Sequence, residues 1–241
     1  MKYEIKTYTP LHIGTGNKYS KAEYTLKNDI LHRVSLDKLL AFLNTIEIKE
    51  FTQDLENPSF RLYDFIKNKG IDIKKIKRYT AELKSRTPRD IVEQIKVNDM
   101  PYVPGSSIKG AIRTAILYKL FSSKDFNSIK DLLRIGNPRV RNQKLDLYFQ
   151  NKLSNQNKKN LANYSIMKFI QITDTNTINS RRRCLLVYCT KTLEVFERGS
   201  CEWYSRYGRD VEVYLETIPE NTILNGSFCF QNEISKTDLT Q

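Results

Sequence analysis

No run of about eighteen consecutive apolar residues occurs anywhere in this chain, and without one there is no transmembrane helix. The amino terminus, Met1-Lys2-Tyr3-Glu4-Ile5, alternates like a strand and lacks the apolar stretch of a signal peptide. A cytoplasmic location without membrane association is therefore expected. Metal-ligand spacing is missing as well. The four cysteines, Cys184, Cys189, Cys201 and Cys229, form no Cys-x-x-Cys pair, and only His12 and His32 are present to help them. A zinc site draws on closely spaced ligand pairs, so reduced thiols and no metal are expected. Gly14-Thr15-Gly16 lacks the third glycine of a dinucleotide fingerprint and the Gly-Lys-Ser/Thr ending of a P-loop, and no cofactor is expected. Internal repeats and coiled-coil heptads are also absent.

Positive charge, in contrast, is in excess. Forty Lys plus Arg against 27 Asp plus Glu give a net charge of +13. Such an excess favours a polyanionic partner, because neutralising phosphates releases counterions and drives association. A hydrophobic content of 39% with 11% aromatics is enough for a packed globule, and 241 residues allow one elaborated domain, 1–241.

Residues 2–9 read as a first strand, stopped by Pro10 and a Gly14-Thr15-Gly16 turn. Tyr24 to Lys27 and Ile30 to Val34 predict a hairpin turned by Asn28-Asp29. Ser35 caps a helix carrying Leu36, Leu39, Leu40 and Leu43 at helical spacing. A polar, strongly basic stretch, 57–89, is expected to be a helical insertion. Strand-like residues 91–97 precede a Pro/Gly/Ser loop and the clearest helix, 107–121. Further helices are expected at 125–135 and 142–152, then a mobile surface loop at 154–163. Strands follow at 166–173, 184–189, 211–217 and 223–230. Strands at both ends with helices between them predict an α+β fold with a mostly antiparallel sheet carrying helices on one face, ferredoxin-like or RRM-like at its core.

The segment Met100-Pro101-Tyr102-Val103-Pro104-Gly105-Ser106-Ser107-Ile108-Lys109-Gly110-Ala111-Ile112-Arg113 is the most informative. Pro104 and Gly105 permit a tight turn that leaves amides open to a close ligand, and Ser106 or Ser107 can cap the helix. Ile108, Ala111, Ile112, Ala115, Ile116 and Leu120 are expected to form its buried stripe. Lys109 and Arg113, at i and i+4, are expected to project from one exposed side. Cations at a helix N-terminus oppose the macrodipole, at a cost of a few tenths to about 1 kcal/mol. They fit if a phosphate sits on the free amides, the reading favoured here over a capped helix with a snug glycine packing contact and two solvated cations. Gly110 loses about 1 kcal/mol of helix propensity relative to Ala, which makes sense where backbone approaches backbone or a nucleotide.

Tyr102 to Arg113 resembles the glycine-rich signature of the RAMP superfamily of CRISPR RNA-binding proteins, and Thr9-Pro10-Leu11-His12-Ile13-Gly14-Thr15-Gly16 resembles its first-strand motif. Lys18-Tyr19, Glu23-Tyr24, Val34 to Leu39, Phe169 to Asn176 and Tyr214 to Pro219 are similar to blocks of one member. That member is the subunit capping the 3′ end of the guide RNA in type III-A (Csm) effector complexes. The resemblance implies an RRM-like core, guide RNA (crRNA) as ligand, and other Csm subunits as partners, the backbone RAMP subunit among them. Host nucleases that trim the guide are further expected partners. His12, Gly14, Gly16, Gly105, Ser106, Ser107, Lys109, Gly110, Arg113 and Arg182 form the expected RNA-binding set. Members of this subunit family usually continue into a second region with its own glycine-rich segment, which is not expected within these 241 residues.

Related backbone subunits cleave target RNA with an acid shortly after the first-strand glycines. Asn17 to Ala22 holds no Asp or Glu, Glu23 being the nearest, so no catalytic residue is expected. The alternative is a metal-free endoribonuclease processing guide precursor through His12, with His32 as a second proton-transfer group. Three further features are basic or aromatic: Arg181-Arg182-Arg183, the Lys74 to Arg89 segment with Tyr79, and Trp203, Tyr204 and Tyr207 with Arg206 and Arg209. The last can serve as an RNA stacking platform or as a subunit interface.

Overall fold

The computed structural model describes residues 1–85, 88, 90–153, 166–178, 185–196 and 200–230. The chain divides into two compact units. The larger comprises Ile5–Tyr102 and Thr177–Leu224, the smaller Met1–Glu4, Val103–Asn176 and Asn225–Gln241.

The larger unit holds a seven-stranded sheet. Its strands are β2 (Gly14–Ser20), β3 (Tyr24–Lys27), β4 (Ile30–Val34), β5 (Lys77–Leu83), β6 (Asp90–Gln94), β10 (Leu186–Lys191) and β15 (Glu212–Thr217), in the order β2-β6-β15-β10-β5-β4-β3. Neighbours are antiparallel except β10 beside β5 and β15 beside β6, so the sheet is mixed. The parallel neighbours lie far apart in sequence, as crossover connections require. The β3–β4 hairpin forms where expected, and Asn28 and Asp29 both take positive φ (51° and 59°), as a two-residue turn matching the sheet's twist demands.

Helices α1 (Leu36–Leu40), α2 (Thr45–Glu56), α3 (Leu62–Asn68) and α4 (Ile73–Ile76) pack together with Ala22 and Val34 around Leu39, Phe51, Leu62, Phe65, Ile66 and Ile76. Ser35 caps α1 as expected, its side chain accepting from the Lys38 amide. A second cluster on the sheet gathers Tyr19, Tyr24, Leu31, Tyr79, Ala81, Ile91, Leu185 and Val187. Helix in the basic stretch ends at Ile76. Lys77–Leu83 is a strand, because Tyr79, Ala81 and Leu83 alternate into the core with a period of two.

Small antiparallel pairs complete this unit. They are β7 (Lys96–Val97) with β8 (Met100–Pro101), β11 (Leu193–Val195) with β12 (Cys201–Trp203), and β13 (Ser205–Arg206) with β14 (Arg209–Asp210).

The smaller unit carries a three-stranded sheet, β1 (Lys2–Lys6), β16 (Ile223–Phe230) and β9 (Ile170–Ile172), in the order β1-β16-β9. Its helices are α5 (Gly105–Leu120), α6 (Ser123–Leu133) and α7 (Pro138–Leu153), and a 3₁₀ turn, Ile166–Phe169, precedes β9. The buried face of α5 differs from the expected stripe. Leu117 is buried with Met167 beside Ile112, Ile116, Phe121 and Phe149, whereas Ala111, Ala115 and Leu120 are exposed. The packed face is the one that carries Ile112, Ile116 and Leu117, and Ala111, Ala115 and Leu120 lie off it. Residues 154–165, which include the expected loop, lie outside the described residues.

Candidate functional site

In the smaller unit, the chain enters α5 through a turn tied to the segment after β9. The Val103 amide donates to Thr175 Oγ1 at 2.9 Å, and the Thr175 amide donates back to the Val103 carbonyl at 3.0 Å. Pro104 is the N-cap residue and supplies no side-chain cap. The cap comes instead from Asp174, whose Oδ1 accepts from the Gly105 amide at 2.8 Å. Neither Ser106 nor Ser107 is the cap, and the Gly105 amide is not open to a ligand. Asp174 places a carboxylate where the helix dipole favours one.

Gly105 has a packing reason of its own. A Cβ there would stand 2.3 Å from the Ile172 carbonyl oxygen and 2.7 Å from that of Thr173. Gly110 has none. An added Cβ meets nothing within 4 Å, and the residue is exposed, as are Ser106 and Ser107. Lys109 and Arg113 share one helix face, as their spacing requires, but they are half-buried on the row that continues to Leu117. Half-burial is common for long cationic side chains, whose aliphatic stems can pack while the charged heads reach water.

In the larger unit, His12 Nδ1 lies 2.6 Å from the Glu216 carbonyl oxygen. A carbonyl only accepts, so Nδ1 carries a proton, and Nε2 is the ring nitrogen on the side of Gly14. A Cβ on Gly14 would stand 3.0 Å from that Nε2, so glycine at 14 leaves room for the ring. Gly14-Thr15-Gly16 is not a turn ending a strand. It opens β2, whose pairing with β6 shifts register between Gly14 and Lys18, and Gly16 supplies the positive φ of 87°. Thr15 lines a polar cleft of about 460 Å³ with Arg78, Glu93, Gln94, Lys96, Asn98 and Asp99. His32 sits between Thr25 and Thr80 in the sheet register, with Nδ1 buried and unpartnered. Burial, then Lys77 and Lys27, lower its pKa and hold it neutral.

A buried carboxylate beneath this region was not foreseen. Glu216 Oε1 accepts from the hydroxyls of Tyr19 (2.7 Å) and Tyr79 (2.8 Å), while Oε2 accepts from the Gln94 amide (3.1 Å) and Lys96 Nζ (2.5 Å). Burial and this carboxylate push both phenols well above their usual range. Tyr79 is thus a core residue. The signal available in the sequence was an acid, Glu216, directly after the apolar run Val213-Tyr214-Leu215 of β15. Glu23, the acid nearest the first-strand glycines, pairs with Arg33 at 2.8 Å and accepts from the Ser20 amide.

The sequence-predicted residues therefore fall into two groups: His12, Gly14 and Gly16 in the larger unit, and Gly105, Ser106, Ser107, Lys109, Gly110 and Arg113 in the smaller. Arg181, Arg182 and Arg183 lie outside the described residues. Among the described residues, no group of three His, Cys, Asp or Glu side chains is placed to hold a metal ion.

Residues 4–238, including both groups, match the RAMP superfamily. The chain belongs to this superfamily. Among curated proteins, this RAMP chain is similar to Csm5 of the CRISPR system from Methanocaldococcus jannaschii (27% identity over 56% of the chain and 34% of that protein). It is also similar to those of Streptococcus thermophilus (28%, over 55% and 42%) and Enterococcus italicus (29%, over 52% and 45%). These matches span less than half the length of each relative. In fold, the RAMP chain resembles the crystal structure of T. onnurineus Csm5, with TM-score 0.65 and 22% identity over 94% of this chain and 67% of that one. A chain of a cryo-EM Csm–crRNA–target RNA ternary complex of the type III-A system matches with TM-score 0.66 and 23% identity over 98% and 66%.

Proposed function

We propose that this chain is a non-catalytic crRNA-binding subunit of a type III-A CRISPR ribonucleoprotein that caps the 3′ end of the guide and contributes to its maturation and to complex assembly. The observation that carries this is the likeness to three Csm5 proteins, joined to the family's Pro-Gly-Ser-Ser block at the start of a helix whose outer face is open at Ser106, Ser107 and Gly110. Partners on this account are crRNA, the other Csm subunits, above all the backbone RAMP subunit, and host nucleases that trim the guide.

RNA contacts are assigned to each unit by itself, to Gly105 to Arg113 in the smaller and to His12 to Gly16 in the larger, and to Arg182 on sequence alone. Because Asp174 already holds the Gly105 amide, phosphate contacts fall to the exposed first turn and to the heads of Lys109 and Arg113. His12 serves as a fixed contact, its ring oriented by the Glu216 carbonyl, and not as a proton-transfer group. The purified chain is to be incubated with labelled repeat RNA, with and without chelator. Binding without cleavage is expected. Cleavage abolished by His12→Ala would replace a binding subunit with a processing nuclease.

A further inference from the structure

The β11–β12 hairpin leaves its apolar side chains in solvent. Register pairs place Leu193 opposite Trp203, Val195 opposite Cys201 and Glu194 opposite Glu202. Residues directly opposite each other point to the same side, and alternate residues share a face. One face therefore carries Leu193, Val195, Cys201 and Trp203, and the other carries the two glutamates. Leu193, Val195 and Trp203 are 50%, 66% and 57% exposed. An isolated two-stranded ribbon is marginal in water, and a contiguous exposed apolar face on one marks a surface that something else covers.

The charge of the hairpin identifies what covers it. In a chain of net +13, residues 192–203 carry Glu194, Glu197 and Glu202 against Arg198 alone. Stacking platforms for single-stranded RNA set their aromatics in cationic grooves, whereas phosphates beside Glu194 and Glu202 would be repelled. Of the described cations close to it in sequence, Lys191 pairs with Asp210 at 2.7 Å, and the Arg206 guanidinium lies 5.6 Å over the Tyr207 ring. A row of Trp, Leu and Val has the composition of a protein-interface core.

We propose that the β11–β12 hairpin is a protein-docking finger, inserted into a cleft of a neighbouring protein subunit that has one apolar wall for Leu193, Val195 and Trp203 and one basic wall for Glu194 and Glu202. This rests on the chain working within a multi-subunit ribonucleoprotein. Trp203 is the chain's sole tryptophan, so labelling with 5-fluorotryptophan gives one fluorine resonance that reports this face alone. The labelled chain is to be examined free, saturated with a repeat-derived single-stranded RNA whose binding is followed separately by anisotropy, and assembled with the unlabelled subunits of its own complex. The expected result is a resonance unmoved by RNA and shifted on assembly. A Trp203→Ala, Leu193→Ser variant is expected to retain RNA affinity and to enter the complex about tenfold less well, as loss of an aromatic anchor implies. A resonance moved by RNA alone, one unmoved by assembly, or one that moves with the concentration of the free chain, as self-association would produce, overturns the proposal. A chain that binds no RNA yet docks through Trp203 refutes the RNA function and leaves the docking finger standing.

Discussion

The carboxylate of Asp174 accepts the Gly105 amide at 2.8 Å and so closes the N-terminus of the helix that carries the family's signature block. A side chain some seventy positions away in sequence does the work that local serines were expected to do. Losing an N-cap costs about 0.5–2 kcal/mol, and Asn can keep the hydrogen bond without the charge. Asp174→Ala should therefore lower stability by about 1 kcal/mol, and Asp174→Asn by less. Urea denaturation of the two variants checks the order.

The two glycines of the block should respond in opposite directions. Gly105→Ala drives a Cβ into the Ile172 and Thr173 carbonyls and should destabilise by about 1–3 kcal/mol. Gly110→Ala meets nothing and should stabilise α5 by up to about 1 kcal/mol. If RNA backbone lies against the open face, the Gly110→Ala protein binds RNA more weakly despite its greater stability. Denaturation curves and RNA anisotropy on the same samples separate the two effects.

The charge and the lone pairs of the buried carboxylate should be separable. Glu216→Gln keeps an acceptor for the Tyr19 and Tyr79 hydroxyls, leaves Lys96 with Glu93 at 3.3 Å as its remaining carboxylate, and should cost about 3 kcal/mol. Glu216→Leu removes every acceptor as well, leaving both hydroxyls and the Gln94 amide unpartnered in the core, and should cost more. Urea denaturation of both variants checks the order, and a Leu variant no less stable than the Gln variant would mean that the ion pair alone sets the cost.

The lowered pKa of His32 makes folding proton-sensitive. The unfolded chain takes up a proton near the ordinary value of 6.5 while the folded chain resists it, so the unfolded state binds more protons below that pH. Stability contributed by neutral His32 is present above about pH 6.5 and is lost as pH falls toward the folded pKa. Urea midpoints measured between pH 7 and pH 5 should fall in the wild type and fall less in His32→Gln.

Local signals were legible where the residues that decide an element sit inside it. The Asn28-Asp29 hairpin, the Ser35 cap and the helices α5 to α7 follow from turn chemistry and periodicity within a few positions. Helix α2 carries such a signal too, the Asn44–Glu47 capping box, and was not foreseen. Strand β5 was hidden because the basic run Lys74 to Arg78 crosses the helix-to-strand boundary and masks the alternation that starts at Tyr79. What sequence could not supply were partners brought by the fold: Asp174 for Gly105, the Glu216 side chain for Tyr19, Tyr79 and Lys96, and the Glu216 carbonyl for the His12 ring. Each joins residues far apart in the chain, which no local pattern encodes.

On the proposed function, Gly105 to Arg113 holds RNA by its phosphates. The most direct test is the slope of log affinity against log salt for single-stranded RNA, compared between wild type and the Lys109→Ala, Arg113→Ala double variant. With about 0.7 per phosphate contact and about 3–5 contacts, the wild-type slope should be about −2 to −3.5, and loss of two contacts should flatten it by about 1.4. Affinity should fall with it, equally for repeat-derived and unrelated strands. A folded double variant with unchanged slope and affinity, or a wild type with strong sequence preference and flat salt dependence, would contradict the account.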